Sequence, residues 1–277
     1  MSDDTPRYTV FGHPVSHSLS PRIHRAFAHQ CSIELDYGIS DVPPDDFAAA
    51  VHDFFAGGGA GANVTVPHKR AAFELADSHS EAARRVGTAN VLTRGADGSL
   101  TAHNTDGDGL VRDLAERHRV DLRGHDTLLL GAGGAAHGVA WSLLDAGVER
   151  ITVVNRTAAS ADALCDRLGQ PDRVVSRYWD DLGTIGSYDL IINATSAGVT
   201  GQSLSLPFSL VGARAFCYDL SYGAAATHFL AWARAADARL ALDGLGMLVE
   251  TAADAFELWH GKRPDTEVVY RQLRSAS

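Results

Sequence analysis

Thr127-Leu128-Leu129-Leu130-Gly131-Ala132-Gly133-Gly134-Ala135-Ala136 carries an apolar run straight into a glycine-rich turn, and a helical pattern continues from it through Leu144 to Gly147. Uninterrupted apolar runs belong to parallel strands covered by helices on both faces. Strand, glycine turn and helix in this order form the arrangement a dinucleotide pyrophosphate needs. Gly131 permits the tight turn, Gly133 lets the backbone approach the phosphates, and the helix start offers unpaired N–H groups and a positive dipole end. The competing reading is an ordinary strand-to-helix turn; the flanking strand, helix and following strand favour the dinucleotide.

Working outward, the next strand, Ile151 to Val154, ends in Asn155-Arg156-Thr157, where an Asp or Glu would bind the ribose hydroxyls of NAD. A guanidinium there pairs with a 2′-phosphate and stacks on adenine, which favours NADP over NAD; the bland reading of Arg156 is a surface arginine. Further apolar strands are read at Val174-Val175, Leu190 to Asn193, Phe216 to Leu220 and Leu240 to Leu242. A helix over about Gly107 to Arg119 precedes this block. From about Leu245 to Ser277 the tail reads as helices whose packing partner periodicity does not decide.

An earlier block opens with a strand at Tyr8 to Phe11, a helix from Pro21, a strand around Leu35 to Val42 and a helix from Pro44 to Phe55. A strand at Ala62 to Val66 follows, stopped by Pro67, which has no N–H for the ladder. Helical segments are expected over about Lys69 to Val86. A hairpin of Asn90 to Thr93 and Ser99 to Thr101 then turns at Asp97-Gly98. Strands alternating with helices make this an α/β chain, and 277 residues suffice for about two domains.

Lys and Arg total 24 against 34 Asp and Glu, a formal charge of -10 with neutral His, and no basic run interrupts the acidity. Nucleic acid and acidic membrane surfaces are therefore disfavoured as partners. No stretch approaches about eighteen uncharged apolar residues, and Met1 to Arg7 is polar and acidic, so neither a spanning helix nor a secretion signal is read. Cys31, Cys165 and Cys217 are widely spaced and never form C-x-x-C, which fits reduced, buried thiols in a cytoplasmic protein better than disulfides or a zinc site.

Three polar clusters stand out in the earlier block. In Phe11-Gly12-His13-Pro14-Val15-Ser16-His17-Ser18-Leu19-Ser20-Pro21, Pro21 suits the first helical position and Ser20 the cap, while the Ser18 hydroxyl is free to help a helix N-terminus hold an anion such as a carboxylate. Pro14 sets His13 and His17 off a common helical face, so metal binding is not expected there. In Asn63-Val64-Thr65-Val66-Pro67-His68-Lys69, alternation puts Asn63 and Thr65 on one strand face, implying a wet or ligand-facing surface. His103-Asn104-Thr105-Asp106-Gly107-Asp108-Gly109 sits where the first block passes to the second. Taken singly, each cluster also reads as a turn or a solvated lysine.

Together these motifs resemble the shikimate dehydrogenase family over nearly the whole chain. The resemblance is carried by Ser18-Leu19-Ser20-Pro21, Asn63 to Lys69, Asn104-Thr105-Asp106-Gly107, Gly131 to Gly134, Asn155-Arg156-Thr157, Asn193-Ala194-Thr195-Ser196 and Asp243-Gly244-Leu245-Gly246-Met247-Leu248. It implies an NADP-linked, reversible reduction of 3-dehydroshikimate to shikimate on the route to chorismate and aromatic amino acids. It also implies an N-terminal α/β substrate-binding and catalytic domain over residues 1–106, a Rossmann-like NADP-binding domain over 107–243, and C-terminal helices over 244–277 that return to the substrate domain. Carried over by position, Ser18 and Ser20 hold the substrate carboxylate, Thr65, Asn90 and Asp106 bind ring hydroxyls, and Tyr222 and Thr251 lie at the substrate. Lys69 and Asp106 are the catalytic pair. Cofactor contacts fall to Gly131, Ala132, Gly133, Gly134, Ala135, Asn155, Arg156, Thr157, Thr195, Leu220, Gly244 and Met247. No metal is implied, and the protein is expected as a monomer or homodimer acting on a small molecule.

The chemistry suits those residue types. Negative charge grows on the carbonyl oxygen during reduction; a nearby ammonium stabilises it and supplies the proton, and neutral lysine takes it back in reverse. Asp106 is expected to orient Lys69 and bind a hydroxyl rather than to create a neutral amine. The family usually has Gln at the position of Thr251, an arginine at Ser160, an apolar residue at His68, a threonine at Val91 and a serine at Ala136. Threonine is too short for glutamine's contact, though water can bridge the gap, and His68 is expected as a partly exposed loop residue. A broader quinate/shikimate dehydrogenase using NAD or NADP is the nearest alternative. A non-catalytic NADP or shikimate sensor is the alternative from a different class.

Overall fold

The computed structural model describes Thr5 to Ser275. The first four residues of the stretch read as lacking a secretion signal, and the last two of the expected helical tail, lie outside the described residues. In chain order the elements are β1 (Arg7–Gly12), α1 (Ser20–Cys31), β2 (Asp36–Asp41), α2 (Phe47–Ala56), β3 (Gly59–Val64), α3 (Lys69–Leu75), β4 (Ser78–His79), α4 (Glu81–Val86), β5 (Val91–Arg94), β6 (Leu100–His103) and α5 (Asp106–Arg112). Then follow β7 (Asp126–Leu130), α6 (Gly134–Asp145), β8 (Arg150–Asn155), α7 (Ala158–Leu168), β9 (Val174–Tyr178), β10 (Tyr188–Asn193), β11 (Val211–Asp219), α8 (Thr227–Ala235), β12 (Leu240–Leu242), α9 (Leu245–His260) and α10 (Thr266–Arg274).

The chain divides into two compact units, one holding the residues up to Gly109 and those from Val249 onward, the other Leu110–Leu248. Most of α9 and all of α10 therefore fall in the first unit, while the first turn of α9 falls in the second. The sheet of the first unit runs β2-β1-β3-β5-β6-β4, with β1 parallel to β2 and β3, and β5 antiparallel to β3 and β6. Two strand and helix expectations need correction here. The strand expected at Ala62 to Val66 spans Gly59–Val64, so Thr65 lies beyond it, although its N–H still donates to the Phe11 carbonyl at 2.8 Å. The segment expected to be helical from Lys69 to Val86 is split by β4, whose two residues pair with β6. Ser80 then caps α4 by accepting the Ala83 N–H.

The second unit is an all-parallel sheet in the order β12-β11-β10-β7-β8-β9. Period-two alternation divides its strands between two apolar layers. Leu129, Val153, Leu190 and Ile192 enter one core, while Leu128, Leu130, Val154 and Ile191 enter the other. Each fully buried Leu, Ile or Val contributes about 1.5–3 kcal/mol, and these side chains hold the helices against both faces of the sheet.

Candidate active site

Sheet topology gathers the polar clusters of the first unit at one edge. β1 and β3 are parallel neighbours, so the loops that follow them, carrying Ser18 and Thr65 to Lys69, leave from the same edge; His13 N–H donates to the Val66 carbonyl at 3.1 Å. β5 runs antiparallel to β3, so Asn90 just before it starts at that edge, and its carbonyl accepts the Val64 N–H at 2.8 Å. β6 returns antiparallel to β5 and delivers Asp106 there as well.

Lys69 Nζ donates to Asp106 Oδ2 at 2.5 Å, with the two side chains 17% and 7% exposed. Such a pair is largely withdrawn from water, where its attraction is screened least. The other Asp106 oxygen accepts Asn90 Nδ2 at 2.9 Å, and the same amide nitrogen reaches Thr105 Oγ1 at 3.0 Å. Asn90 Oδ1 in turn accepts the Thr105 N–H at 2.9 Å, Asn104 Oδ1 accepts the Asp106 N–H at 3.1 Å, and Thr105 Oγ1 donates to the Thr251 carbonyl at 3.4 Å. Lys69, Asn90, Asp106 and the Thr251 backbone thus form one connected group. Asn104 and Thr105 are the members to which the sequence reading gave no role; their motif carried the signal, but not which of its residues holds which.

The serine loop is built differently from expectation. The helix begins at Ser20 with Leu19 at the cap position, Pro21 one place later than expected, and no side-chain cap. Ser18 Oγ accepts the Ser20 N–H at 3.2 Å and donates to Ser20 Oγ at 3.1 Å, so Ser18, two residues ahead, satisfies the N–H and leaves Ser20 inside the helix. Gly12 has no room for a Cβ, which would sit 2.6 Å from Thr65 Cγ2. The face expected to be wet at Asn63 and Thr65 is half-buried, and Asn63 Oδ1 accepts the buried Tyr37 hydroxyl at 2.6 Å. His68, expected partly exposed, is 1% exposed; it stacks on Phe47 with centroids 4.4 Å apart and its Nε2 meets the Val42 carbonyl at 2.7 Å.

In the second unit the parallel sheet brings the ends of β7, β8, β10, β11 and β12 to one edge. Gly131 takes φ +105°, and a Cβ there would lie 2.8 Å from the Ala194 carbonyl oxygen. At Gly133 and Gly134 an added Cβ meets nothing within 4 Å, so the turn faces open space. α6 starts at Gly134 with no side-chain cap, and Ala135 lies in its first turn. This bare helix start fits a pyrophosphate. Ala132 and Leu220 pack partly buried against the core, and Asn155 Nδ2 donates to the Thr157 carbonyl at 3.0 Å beside the exposed Arg156.

Asn193 organises the other half of that edge. Its Oδ1 accepts the Thr195 N–H at 3.1 Å and hydroxyl at 2.7 Å, and its Nδ2 donates to Asp219 Oδ2 at 2.8 Å. Burial pushes the Asp219 carboxyl up to about 6 despite the Ser221 N–H and the Asn193 amide, which act the other way. A Cβ on Gly244 would fall 2.2 Å from the Leu220 oxygen, and the Met247 N–H donates to the Tyr218 hydroxyl at 3.2 Å. Tyr222 precedes a short turn over Gly223–Ala226 in this unit. Among the described residues no group of three or more His, Cys, Asp or Glu is placed to hold a metal ion, and no helix is long and apolar enough to cross a membrane.

Three family profiles match the chain: the shikimate dehydrogenase substrate binding domain over residues 10–92, shikimate/quinate 5-dehydrogenase over 113–200, and the shikimate 5′-dehydrogenase C-terminal domain over 244–274. A protein of Xylella fastidiosa (strain M12) named shikimate dehydrogenase (NADP(+)) is 56% identical over 271 residues, covering 97% of this chain and 96% of its own. The crystal structure of an Ael1 enzyme from Pseudomonas putida superposes with a TM-score of 0.89 at 44% identity, covering 97% of this chain and 98% of that one. Shikimate 5-dehydrogenase from Thermus thermophilus, in complex with NADP(H) and shikimate, superposes with a TM-score of 0.84 at 30% identity, covering 99% and 100%. The chain belongs to the shikimate dehydrogenase family.

Proposed function

We propose that this chain is an NADP-dependent shikimate dehydrogenase, reversibly reducing 3-dehydroshikimate to shikimate in the pathway to chorismate and aromatic amino acids. The observation that carries the mechanism is the 2.5 Å contact of Lys69 Nζ with Asp106, whose second oxygen is fixed by Asn90. NADPH, when bound, supplies the hydride to the substrate's carbonyl carbon. The Lys69 ammonium stabilises the negative charge growing on the carbonyl oxygen and donates one Nζ proton to it, giving the hydroxyl. In oxidation the same nitrogen takes the hydroxyl proton. Asp106 orients Lys69 and, with Asn90 and Thr65, binds ring hydroxyls; Ser18 and Ser20 hold the carboxylate, and Tyr222 and Thr251 complete the substrate contacts.

Residues 1–106 serve as the substrate-binding and catalytic domain, 107–243 bind NADP, and 244–277 support the substrate domain. Gly131, Ala132, Gly133, Gly134 and Ala135 hold the pyrophosphate, Asn155, Arg156 and Thr157 the adenosine phosphate, and Thr195, Leu220, Gly244 and Met247 the nicotinamide side. The enzyme works in the cytoplasm as a monomer or homodimer. The test is to follow reduced-nicotinamide absorbance with shikimate and NADP, crossing in quinate and NAD. Rapid shikimate oxidation confined to NADP upholds the assignment. Turnover with quinate or NAD shifts it to a broader dehydrogenase, and binding without any turnover to a sensor.

A further inference from the structure

The strand order of the second unit reverses between β7 and β10. With the pyrophosphate at the loop after β7 and Arg156 at the end of β8, the nicotinamide half falls over the ends of β10 and β11. The first turn of α9 closes that region, since the Gly244 N–H donates to the Ser221 carbonyl at 2.8 Å. A helix's first N–H groups have no partner within the helix. Here Leu245 N–H finds Asp243 Oδ1 at 3.2 Å, and Met247 N–H finds a side chain from a neighbouring strand, the Tyr218 hydroxyl, at 3.2 Å.

That hydroxyl is itself held. Tyr218 is wholly buried and donates to Asp113 Oδ2 at 2.6 Å, while Arg117 donates to Asp113 Oδ1 from within the same π-helical turn. π turns inside helices occur frequently at functional sites. Gly246 fits against this carboxylate only because it lacks a Cβ, which would sit 1.9 Å from Asp113 Oδ1. Leu110, Leu114 and Met247 lie in the same core, and His118 Nε2 stands 3.8 Å from Asp113 Oδ1. A phenylalanine would fill the ring's volume but take the hydroxyl away from both Asp113 Oδ2 and the Met247 N–H; what the oxygen adds is one fixed position for the Met247 backbone against a held carboxylate.

We propose that Tyr218, locked by Asp113 and Arg117, is a positioning residue for hydride transfer, setting the Met247 segment against which the nicotinamide ring is held. The inference rests on the NADP-dependent reading above. Tyr218→Phe keeps the ring and removes the partner of both the Met247 N–H and Asp113 Oδ2. The expected signature is a kcat for shikimate oxidation lowered about 10-fold, the scale of a sub-ångström misplacement. A primary isotope effect from shikimate deuterated at the oxidised carbon rises, while KM for shikimate and the affinity for 2′,5′-ADP, which probes only the adenosine end, stay unchanged.

An unaltered kcat and isotope effect overturns the proposal, whatever happens to thermal stability. So does a kcat that falls in step with 2′,5′-ADP binding capacity at constant isotope effect, because that signals only less folded protein. Should Tyr218→Phe fail to fold, Gly246→Ala presses on the Asp113 carboxylate from the other side and is held to the same signature. Wild-type protein in the same assay separates the two readings. If it oxidises no shikimate with NADP, the function itself is refuted; if it is active and both variants match it, only the positioning role is.

Discussion

His24 offers the sharpest check on the packing of the first unit. It lies on α1, is 0% exposed, and stacks on Tyr37 with ring centroids 4.4 Å apart at 9°; both ring nitrogens are buried. Phe27, Phe256 and Trp259 complete its surroundings. Burial pushes its pKa down to about 3, with the charge of His260 adding to the effect and Asn63 opposing it. An unfolded histidine titrates at about 6.5. Between those values the unfolded chain binds more protons than the folded one, so stability falls as pH falls through the unfolded value. The resulting loss between about pH 7.5 and about pH 5 is about 2 kcal/mol from this residue alone, and it barely changes if the folded pKa moves by a unit. His24→Leu removes the titrating group. Urea unfolding of both proteins at the two pH values should show the wild type losing about 2 kcal/mol more than the variant, other groups cancelling in the difference. Equal losses would refute a neutral, buried His24.

Lys69→Ala should lower turnover by about 100-fold or more with shikimate still bound, read by steady-state kinetics alongside calorimetric binding; near-normal turnover removes Lys69 from the mechanism. Arg156→Asp should cut the preference for NADP over NAD, measured as the ratio of kcat/KM for the two; unchanged affinities for both reject the 2′-phosphate assignment. Gly131→Ala places a side chain at φ +105° and 2.8 Å from the Ala194 oxygen. It should destabilise the protein by about 1–3 kcal/mol in thermal unfolding and weaken NADP binding.

Much of the second unit was legible because its signals are local. The alternation that sorts Leu128 and Leu129 into opposite cores, and the glycine turn that follows, each need only a short stretch of context. The first unit was harder where long-range pairing overrides local propensity. Ser78 and His79 form a strand only because Thr101 and Ala102 stand beside them, and nothing within Lys69 to Val86 announces that break. His68 read as a loop residue because it stands beside Lys69 just past the strand-ending Pro67, yet α2 brings Phe47 against its ring and buries it.

The candidate site shows the same division more clearly. Lys69 and Asp106 stood out by residue type and motif and Asn90 only through the family resemblance, but their joining into one hydrogen-bonded group depends on β3, β5 and β6 ending or starting at one edge, a property of the sheet rather than of any segment. Asp113 and Tyr218 had no signal at all: an acid in a helical pattern reads as solvated, and a tyrosine between Cys217 and Asp219 reads as strand. They meet across 105 residues of chain at 2.6 Å. A buried carboxylate is tolerated only when its partners arrive with it, so Asp113 becomes intelligible only once β11 and the π turn are packed together. Residues that touch ligands keep a recognisable local chemistry, whereas residues that position them are defined by who else is buried beside them, and that is where structure adds most to the sequence.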